Sequence, residues 1–537
     1  MTDGWNFADV WEVIAHRLPD APALRHGDRT VTWAEFDDRA TGMAAALLDA
    51  GMAEQDKVAQ YLYNCPEYLE SVFAVWKAGL VPVNTNYRYT DHELVYLWDN
   101  ADVAAVVFQG AFSETIARIR TSVPAVRLWL WVDDGTDTCP AWAAPLEPTG
   151  EDHPPVAPPW GRSGDQLYLL YTGGTTGMPK GVMWRQDDLF GLLNATAKVR
   201  FPPAGSLADV ERMIDRPGPR FLTACPLMHG TGSLAAFAAL SSGGSVITLV
   251  NHSFDVEELL DTITREGVQS LAIVGDVFAK PMVAALDRSP ERWDLSTIRL
   301  LASSGVMWSA QTKEALLAHN PRMLLADSLG SSEAISIASS VTTGSERTSN
   351  TAQFKMTEHT KVIADDGHFV EPGSGEIGKV AMYGHTPLGY YKDEARSEAT
   401  FRTIGGRRYA IPGDYAMVEP DGTLTLLGRG TGCINTGGEK VFPEEVEEVL
   451  KLHPDVRDAI VVGVPDDRYG EVVVGIIESD EVDHAGLVAL VKSQLASYKA
   501  PKRIMTVPSL GRASNGKLDY TRWKAYAASE IDGVRRG

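Results

Sequence analysis

Between residues 8 and 140 the chain alternates helical stretches with short apolar runs, and no other feature constrains its fold as strongly. Val58 to Tyr63 and Ala104 to Phe108 are too short for globular helices and rich in β-branched and aromatic side chains, so they read as buried strands. Thr32-Trp33-Ala34-Glu35 puts a hydroxyl at a helix start and a carboxylate three residues later. That spacing predicts a capping box, with the helix continuing through Leu48. Strands that alternate with helices pair in parallel, because each return crosses over the sheet. The pattern resumes from about 165 to 345, with strands at Ser245 to Val250 and Ser270 to Val274. Between the two regions, Pro145, Pro148, Pro154, Pro155, Pro158 and Pro159 mark an extended connector.

Residues 360 to 428 change character. Short β-like runs are split by Asp366-Gly367, by Gly373 to Gly378 and by Asp421-Gly422, which suggests a small antiparallel barrel or distorted sheet. Beyond residue 430, Pro443 opens a helix with Glu444 and Glu445 in its first turn, and Ala459 to Val464 and Val472 to Ile477 read as strands. A chain of 537 residues is too long for one core. We read an α/β protein: residues 1–429 hold two α/β sheet subdomains plus a small β-barrel, and residues 430–537 form a small α+β domain.

The net charge of −22 argues against nucleic acid and against an anionic membrane surface. Any phosphate must then be held by local cations and backbone dipoles. Cys65, Cys139, Cys225 and Cys433 are far apart and lack zinc spacing, which fits reduced thiols. The first residues show no basic and apolar leader, and no apolar run is long enough to span a bilayer, so the chain reads as cytoplasmic.

The run from Tyr171 to Gly181 (Tyr-Thr-Gly-Gly-Thr-Thr-Gly-Met-Pro-Lys-Gly) follows an apolar strand, Leu167 to Tyr171. It can offer backbone N–H groups, the hydroxyls of Thr172, Thr175 and Thr176, and the Lys180 ammonium to a polyphosphate. Gly173, Gly174 and Gly177 let backbone approach closely. It is not a Walker A loop, since Gly177 is followed by Met178-Pro179. Alone, such a run reads better as a flexible surface loop. Its company decides: Pro226-Leu227-Met228-His229-Gly230-Thr231-Gly232, Ser303 to Ser309, Ser328-Leu329-Gly330-Ser331-Ser332-Glu333, Pro412-Gly413-Asp414, Gly428-Arg429 through Gly437-Gly438-Glu439-Lys440 to Glu447, and Asn515-Gly516-Lys517.

In order and spacing these segments resemble the adenylate-forming superfamily of acyl- and aryl-CoA synthetases, peptide-synthetase adenylation domains and beetle luciferases. The likeness covers about residues 8 to 525. It implies ATP, Mg²⁺ and coenzyme A, and two steps: a carboxylate attacks the α-phosphorus to give acyl-AMP and pyrophosphate, then a thiol displaces AMP.

The resemblance also implies roles. Lys517 bridges the carboxylate and the α-phosphate, which needs a positioned cation. Glu333 is the magnesium-associated carboxylate, with Thr176 beside the metal, and Thr172 and His229 complete the catalytic set. Ser304, Gly305 and Val306 line one adenine face; Asp327, Ser328 and Leu329 cover the other face and edge, with Leu329 where many relatives carry tyrosine. Gly330, Ser331 and Ser332 lead on to Glu333. Asp414 holds the ribose, and Arg429 the ribose or a phosphate. His229 borders the carboxylate pocket, where a packed structural histidine is almost as good a reading. The small domain is mobile, turning at a hinge where Thr431 replaces the usual Asp or Lys, so that Gly437-Gly438 line a pantetheine tunnel. Leu510-Gly511-Arg512 departs from the Leu-Pro-Arg of many relatives.

Trp184-Arg185-Gln186 and the Cys433 to Lys440 run look most like actinobacterial fatty-acid and sterol side-chain CoA ligases, which points to a hydrophobic fatty, branched or steroid-derived acid. Aryl or short-chain acids, carrier-protein loading and luciferase-like oxidation stay open, as does a homodimer. Residues 201 to 220 are an additional loop expected to line the acyl pocket.

Overall fold

Val103–Gln109 is buried at every position, the pattern of a strand covered on both faces. It lies inside an eight-stranded sheet ordered Gly389–Tyr390, Gly177–Arg185, Leu167–Gly174, Val81–Asn84, Lys57–Tyr61, Val103–Gln109, Leu128–Val132, Ala144–Pro145. From Leu167–Gly174 to Ala144–Pro145 all neighbours are parallel, as the strand–helix alternation requires. The computed structural model describes residues 4–146, 154–174, 177–305, 308–344, 353–429, 432–436, 439–466, 469–512 and 518–536.

A second sheet has a parallel block, Pro22–His26, Ser245–Thr248, Arg220–Thr223, Ser270–Ile273, Leu300–Ser304 and Leu324–Ser331. A tight reversal pairs Ser331 with Ala334 and turns the order antiparallel. Ala334–Thr342, Gln353–Met356, Thr423–Arg429, Asp414–Val418, Gly378–Tyr383, Arg407–Ala410 and Phe401–Ile404 then follow side by side. Between residues 353 and 429 the short strands other than Gly389–Tyr390 are antiparallel, as their turns require, and they extend this second sheet.

The helix Pro66–Lys77 is buried along its whole length in the main core. Phe7 stacks on Trp76 at 4.7 Å, with Trp11, Phe73 and Phe237 closing round. Lys77, 2% exposed, ends the helix between Glu12 at 2.6 Å and Asp37 at 2.7 Å, so its charge is compensated where solvent is excluded. The capping box forms as anticipated: the Thr32 amide donates to Glu35 and the Glu35 amide to Thr32 Oγ1. Residues of the 201–220 loop bond toward the N-terminal helix, Trp5 Nε1 donating to the Pro203 carbonyl and Arg17 Nε to that of Ile214.

In the C-terminal part, Gly470–Glu478 pairs antiparallel with Asp458–Asp466 and parallel with Arg503–Val507. Pro443–Leu450 opens with its proline and packs on Thr423–Arg429. Phe442 meets Tyr415 at 5.6 Å, and Lys280 Nζ donates to the Arg457 carbonyl at 3.1 Å.

Candidate active site

The glycine-rich run, which alone reads as a surface loop, lies at the end of a β-hairpin. Leu167–Gly174 and Gly177–Arg185 pair antiparallel, with Thr172 opposite Lys180 and Gly174 opposite Gly177. Thr175 and Thr176 lie outside the described residues. A Cβ on Gly181 would sit 2.5 Å from the Tyr171 ring, so this glycine makes room for an aromatic side chain instead of a phosphate. The Tyr171 hydroxyl in turn donates to Asn100 at 2.6 Å.

Two asparagines fix the hairpin and the His229 segment to one frame. Asn84, 4% exposed, ends the strand Val81–Asn84. Its Oδ1 accepts from the Tyr171 amide at 2.6 Å, and its Nδ2 donates to the carbonyls of Tyr171 (2.9 Å) and Met228 (2.6 Å). Asn64 accepts from the Leu227 amide at 2.7 Å and donates to the Cys225 carbonyl at 3.1 Å. His229 is half-buried and caps the helix Gly230–Ser241 through its backbone. A Cβ on Gly232 would fall 2.4 Å from the Pro226 carbonyl oxygen, so this helix can start so close to the preceding turn only with glycine there.

The Ser328 to Glu333 segment is strand and hairpin, not a loop after a strand. Leu324–Ser331 runs on to Ser331, and Ser332 and Glu333 form the two-residue turn before Ala334. Gly330 faces a bulge at Ser336, whose φ is 54° and whose amide would be 3.0 Å from a Cβ on Gly330. Trp184 Nε1, from the glycine hairpin, donates to the Ser332 carbonyl at 2.9 Å. Glu333 Oε1 accepts from the Tyr390 hydroxyl at 2.7 Å, and Lys180 Nζ stands 5.0 Å from the centre of the Tyr390 ring. Burial, with Glu333 alongside, pushes the Tyr390 phenol above its ordinary range, so it stays a donor.

On the adenine side, Ser304 lies opposite Ser328 and Ser303 opposite Asp327 on adjacent parallel strands. Gly305 follows with φ of 92°, outside the range most side chains adopt. Asp327 is 3% exposed and its Oδ2 lies 3.2 Å from Lys313 Nζ. Burial pushes its carboxyl up to about 6, with Lys313 opposing the rise. Asp414 lies opposite Arg429 on neighbouring strands of the same sheet, separated from the adenine strands by Ala334–Thr342 and Gln353–Met356. Val306, Gly437, Gly438 and Lys517, like the hinge at Gly430 and Thr431, lie outside the described residues.

The sequence reading missed Asn84, Asn64, Tyr390 and Lys313, and it noted Trp184 only as a point of resemblance, not for its bond to Ser332. The one legible signal was a polar amide at the end of an apolar strand, Val81-Pro82-Val83-Asn84. Among the described residues no three His, Cys, Asp or Glu side chains converge as a metal cage. A single carboxylate fits Mg²⁺ all the same, because that ion keeps waters and takes most of its remaining oxygens from nucleotide phosphates.

In this mixed α/β frame hydrogen bonds cross-link the glycine–threonine hairpin, the His229 segment and the Glu333 hairpin, an arrangement that suits an enzyme activating an acid with a nucleotide. Residues 11–391 match the AMP-binding enzyme family, and residues 445–517 match the AMP-binding enzyme C-terminal domain. The chain belongs to the AMP-binding enzyme family, and it is an AMP-forming acid–CoA ligase that uses ATP and coenzyme A. It is 40% identical to the medium/long-chain-fatty-acid–CoA/3-oxocholest-4-en-26-oate–CoA ligase of Mycobacterium tuberculosis (strain ATCC 25618 / H37Rv), over 96% of this chain and 95% of that one. It is 39% identical to the 3-oxocholest-4-en-26-oate–CoA ligase of Rhodococcus rhodochrous, again over 96% and 95%. In fold it is similar to the amide bond synthetase McbA from Marinactinospora thermotolerans, with a TM-score of 0.81, 23% identity, and 97% and 99% of the two chains covered. Among the described residues no helix is long and apolar enough to cross a membrane.

Proposed function

We propose that this chain activates a bulky hydrophobic carboxylic acid, of fatty, branched or steroid-derived type, and passes its acyl group to coenzyme A. The observation that carries this reading is Asn84, which holds the first residue of the glycine hairpin and the residue before His229 by three hydrogen bonds, so that the phosphate segment and the acid segment share one anchor. Full-length similarity to ligases named for such acids supports the substrate class.

In the first step a carboxylate oxygen attacks the α-phosphorus, the bond to the bridging oxygen breaks, and pyrophosphate leaves. Thr172 and Lys180 receive the phosphates, Asp414 and Arg429 the ribose, and Ser304, Gly305 and Asp327 the base. Lys517 supplies positive charge where negative charge builds around the pentavalent phosphorus, a contribution of about 3 kcal/mol. A divalent cation on Glu333 would neutralise phosphate charge. In the second step the thiol sulfur attacks the acyl carbon and AMP leaves. Residues 1–429 act as the ATP- and acyl-binding domain, and residues 430–537 as the mobile domain that brings first Lys517 and then Gly437-Gly438 to the site.

Purified protein given ATP, CoA and a panel of fatty, steroid side-chain, aryl and short acids should release AMP fastest with the large hydrophobic members. Preference for aryl or short acids would overturn the substrate class. Lys517→Ala should abolish adenylate formation yet spare thioester formation from supplied acyl-AMP, and equal loss of both half-reactions would contradict the role of that lysine.

A further inference from the structure

Tyr390 joins two functional segments that are far apart in sequence, the glycine hairpin with Lys180 and the turn with Glu333. It is 4% exposed and sits on the edge strand Gly389–Tyr390, which pairs antiparallel with the glycine hairpin, Tyr390 facing Val182. Its amide donates to Ser397 Oγ at 2.8 Å, and a Cβ on Gly389 would strike that same hydroxyl at 2.8 Å, so the strand is seated tightly on the helix Glu394–Thr400. On the other side Tyr391 and Lys392 both bond to Asp102, at 2.8 and 2.7 Å. The ring therefore has little freedom to turn. Its hydroxyl holds Glu333 Oε1, and its face holds the Lys180 ammonium. Of the two Glu333 carboxylate oxygens only Oε1 is hydrogen-bonded among the described residues, which leaves Oε2 for a cation or its water.

We propose that Tyr390 is the positioning residue of the phosphate half of the site: its hydroxyl fixes the Glu333 carboxylate for a divalent cation, and its ring sets Lys180 toward the same polyphosphate. This rests on the assignment of Glu333 given above. A carboxylate free to rotate offers a cation a mixture of orientations; one oxygen pinned by a donor offers a single one. Partners of this kind around metal ligands are typically worth 10- to 100-fold in metal affinity.

The test is Mn²⁺ binding to the enzyme–ATP complex, followed by electron paramagnetic resonance. Tyr390→Phe keeps the ring and removes the donor. It should raise the Mn²⁺ dissociation constant about tenfold, raise the Mg²⁺ requirement of the adenylation half-reaction, and leave thioester formation from supplied acyl-AMP unchanged. In a Glu333→Gln background the same change should add almost nothing, because the two groups act together. Tyr390→Leu should also raise the KM for ATP through Lys180. An Mn²⁺ affinity unchanged by Tyr390→Phe, or an equal loss with and without Glu333, would overturn the proposal. Binding to the ATP complex needs no acid, so a mistaken acid assignment leaves this readout intact, and the acid panel leaves Tyr390 untouched.

Discussion

Removing the Asn84 amide should loosen the site and the core together. Asn84→Ala leaves the Tyr171 amide, the Tyr171 carbonyl and the Met228 carbonyl without their partner, all in a buried setting. At about 1 kcal/mol net per lost hydrogen bond the cost is about 3 kcal/mol, and higher if the orphaned groups find no water. In urea that is a fall of about 1 M in the midpoint of the transition that includes this sheet. Far-UV circular dichroism and intrinsic fluorescence would follow the unfolding, and steady-state kinetics the KM for ATP, which should rise because the glycine hairpin loses its anchor. Asn84→Asp gives a second, sharper reading. One carboxylate oxygen can still accept from Tyr171, but the other faces two carbonyl oxygens. Ionisation is therefore disfavoured in the fold, the folded carboxyl titrates above its free value of about 4, and the penalty grows as pH rises past that value. A midpoint within about 0.2 M of the wild type and an unchanged KM for Asn84→Ala would refute the argument.

Two further outcomes can be checked. The Asp327 carboxyl titrates at about 6 in the fold against 3.8 for the free group, so the folded state holds its proton longer. Its contribution is fully present below pH 4 and is lost as pH climbs through 6, a fall of about 3 kcal/mol that Asp327→Asn should remove from a urea-midpoint profile; parallel profiles would contradict it. Gly232→Ala forces a methyl to within 2.4 Å of the Pro226 carbonyl. It should cost about 1–3 kcal/mol and raise the KM for the acid, since the start of the His229 helix must shift; a variant melting and turning over like the wild type would show that the turn yields freely.

The alternation of apolar runs and helices was readable because burial on both faces leaves a continuous apolar strand, as in Val103–Gln109. The capping box at Thr32 was readable because its two bonds are local. The β-character of the glycine run was not. Its pairing depends on Thr172 meeting Lys180 and on a partner strand, Val81–Asn84, some 87 residues away at Asn84. The same holds for the strand that swallows Ser328 to Ser331, whose extension depends on Ala334–Thr342 returning alongside. Motif order is what assigns roles to Thr172, Lys180, His229 and Glu333, as expectations. The side chains that hold their segments, Asn64, Asn84, Trp184 and Tyr390, act across long sequence separations, and apart from the strand-end place of Asn84 nothing local marks that role.

Midway through the second sheet the chain departs after Tyr383, lays Gly389–Tyr390 along the rim of the first, and comes back at Phe401. That excursion is one stitch between two platforms that Trp184, Asn64 and Asn84 also tie together. The groups assigned to base and sugar ride on the second sheet together with Glu333, and Thr172 and Lys180 on the first, so a nucleotide laid across the seam acts as a strut against shear. Its departure as AMP and pyrophosphate would cut that strut in two, leaving the stitch and the bonds of Trp184, Asn64 and Asn84 to hold the platforms.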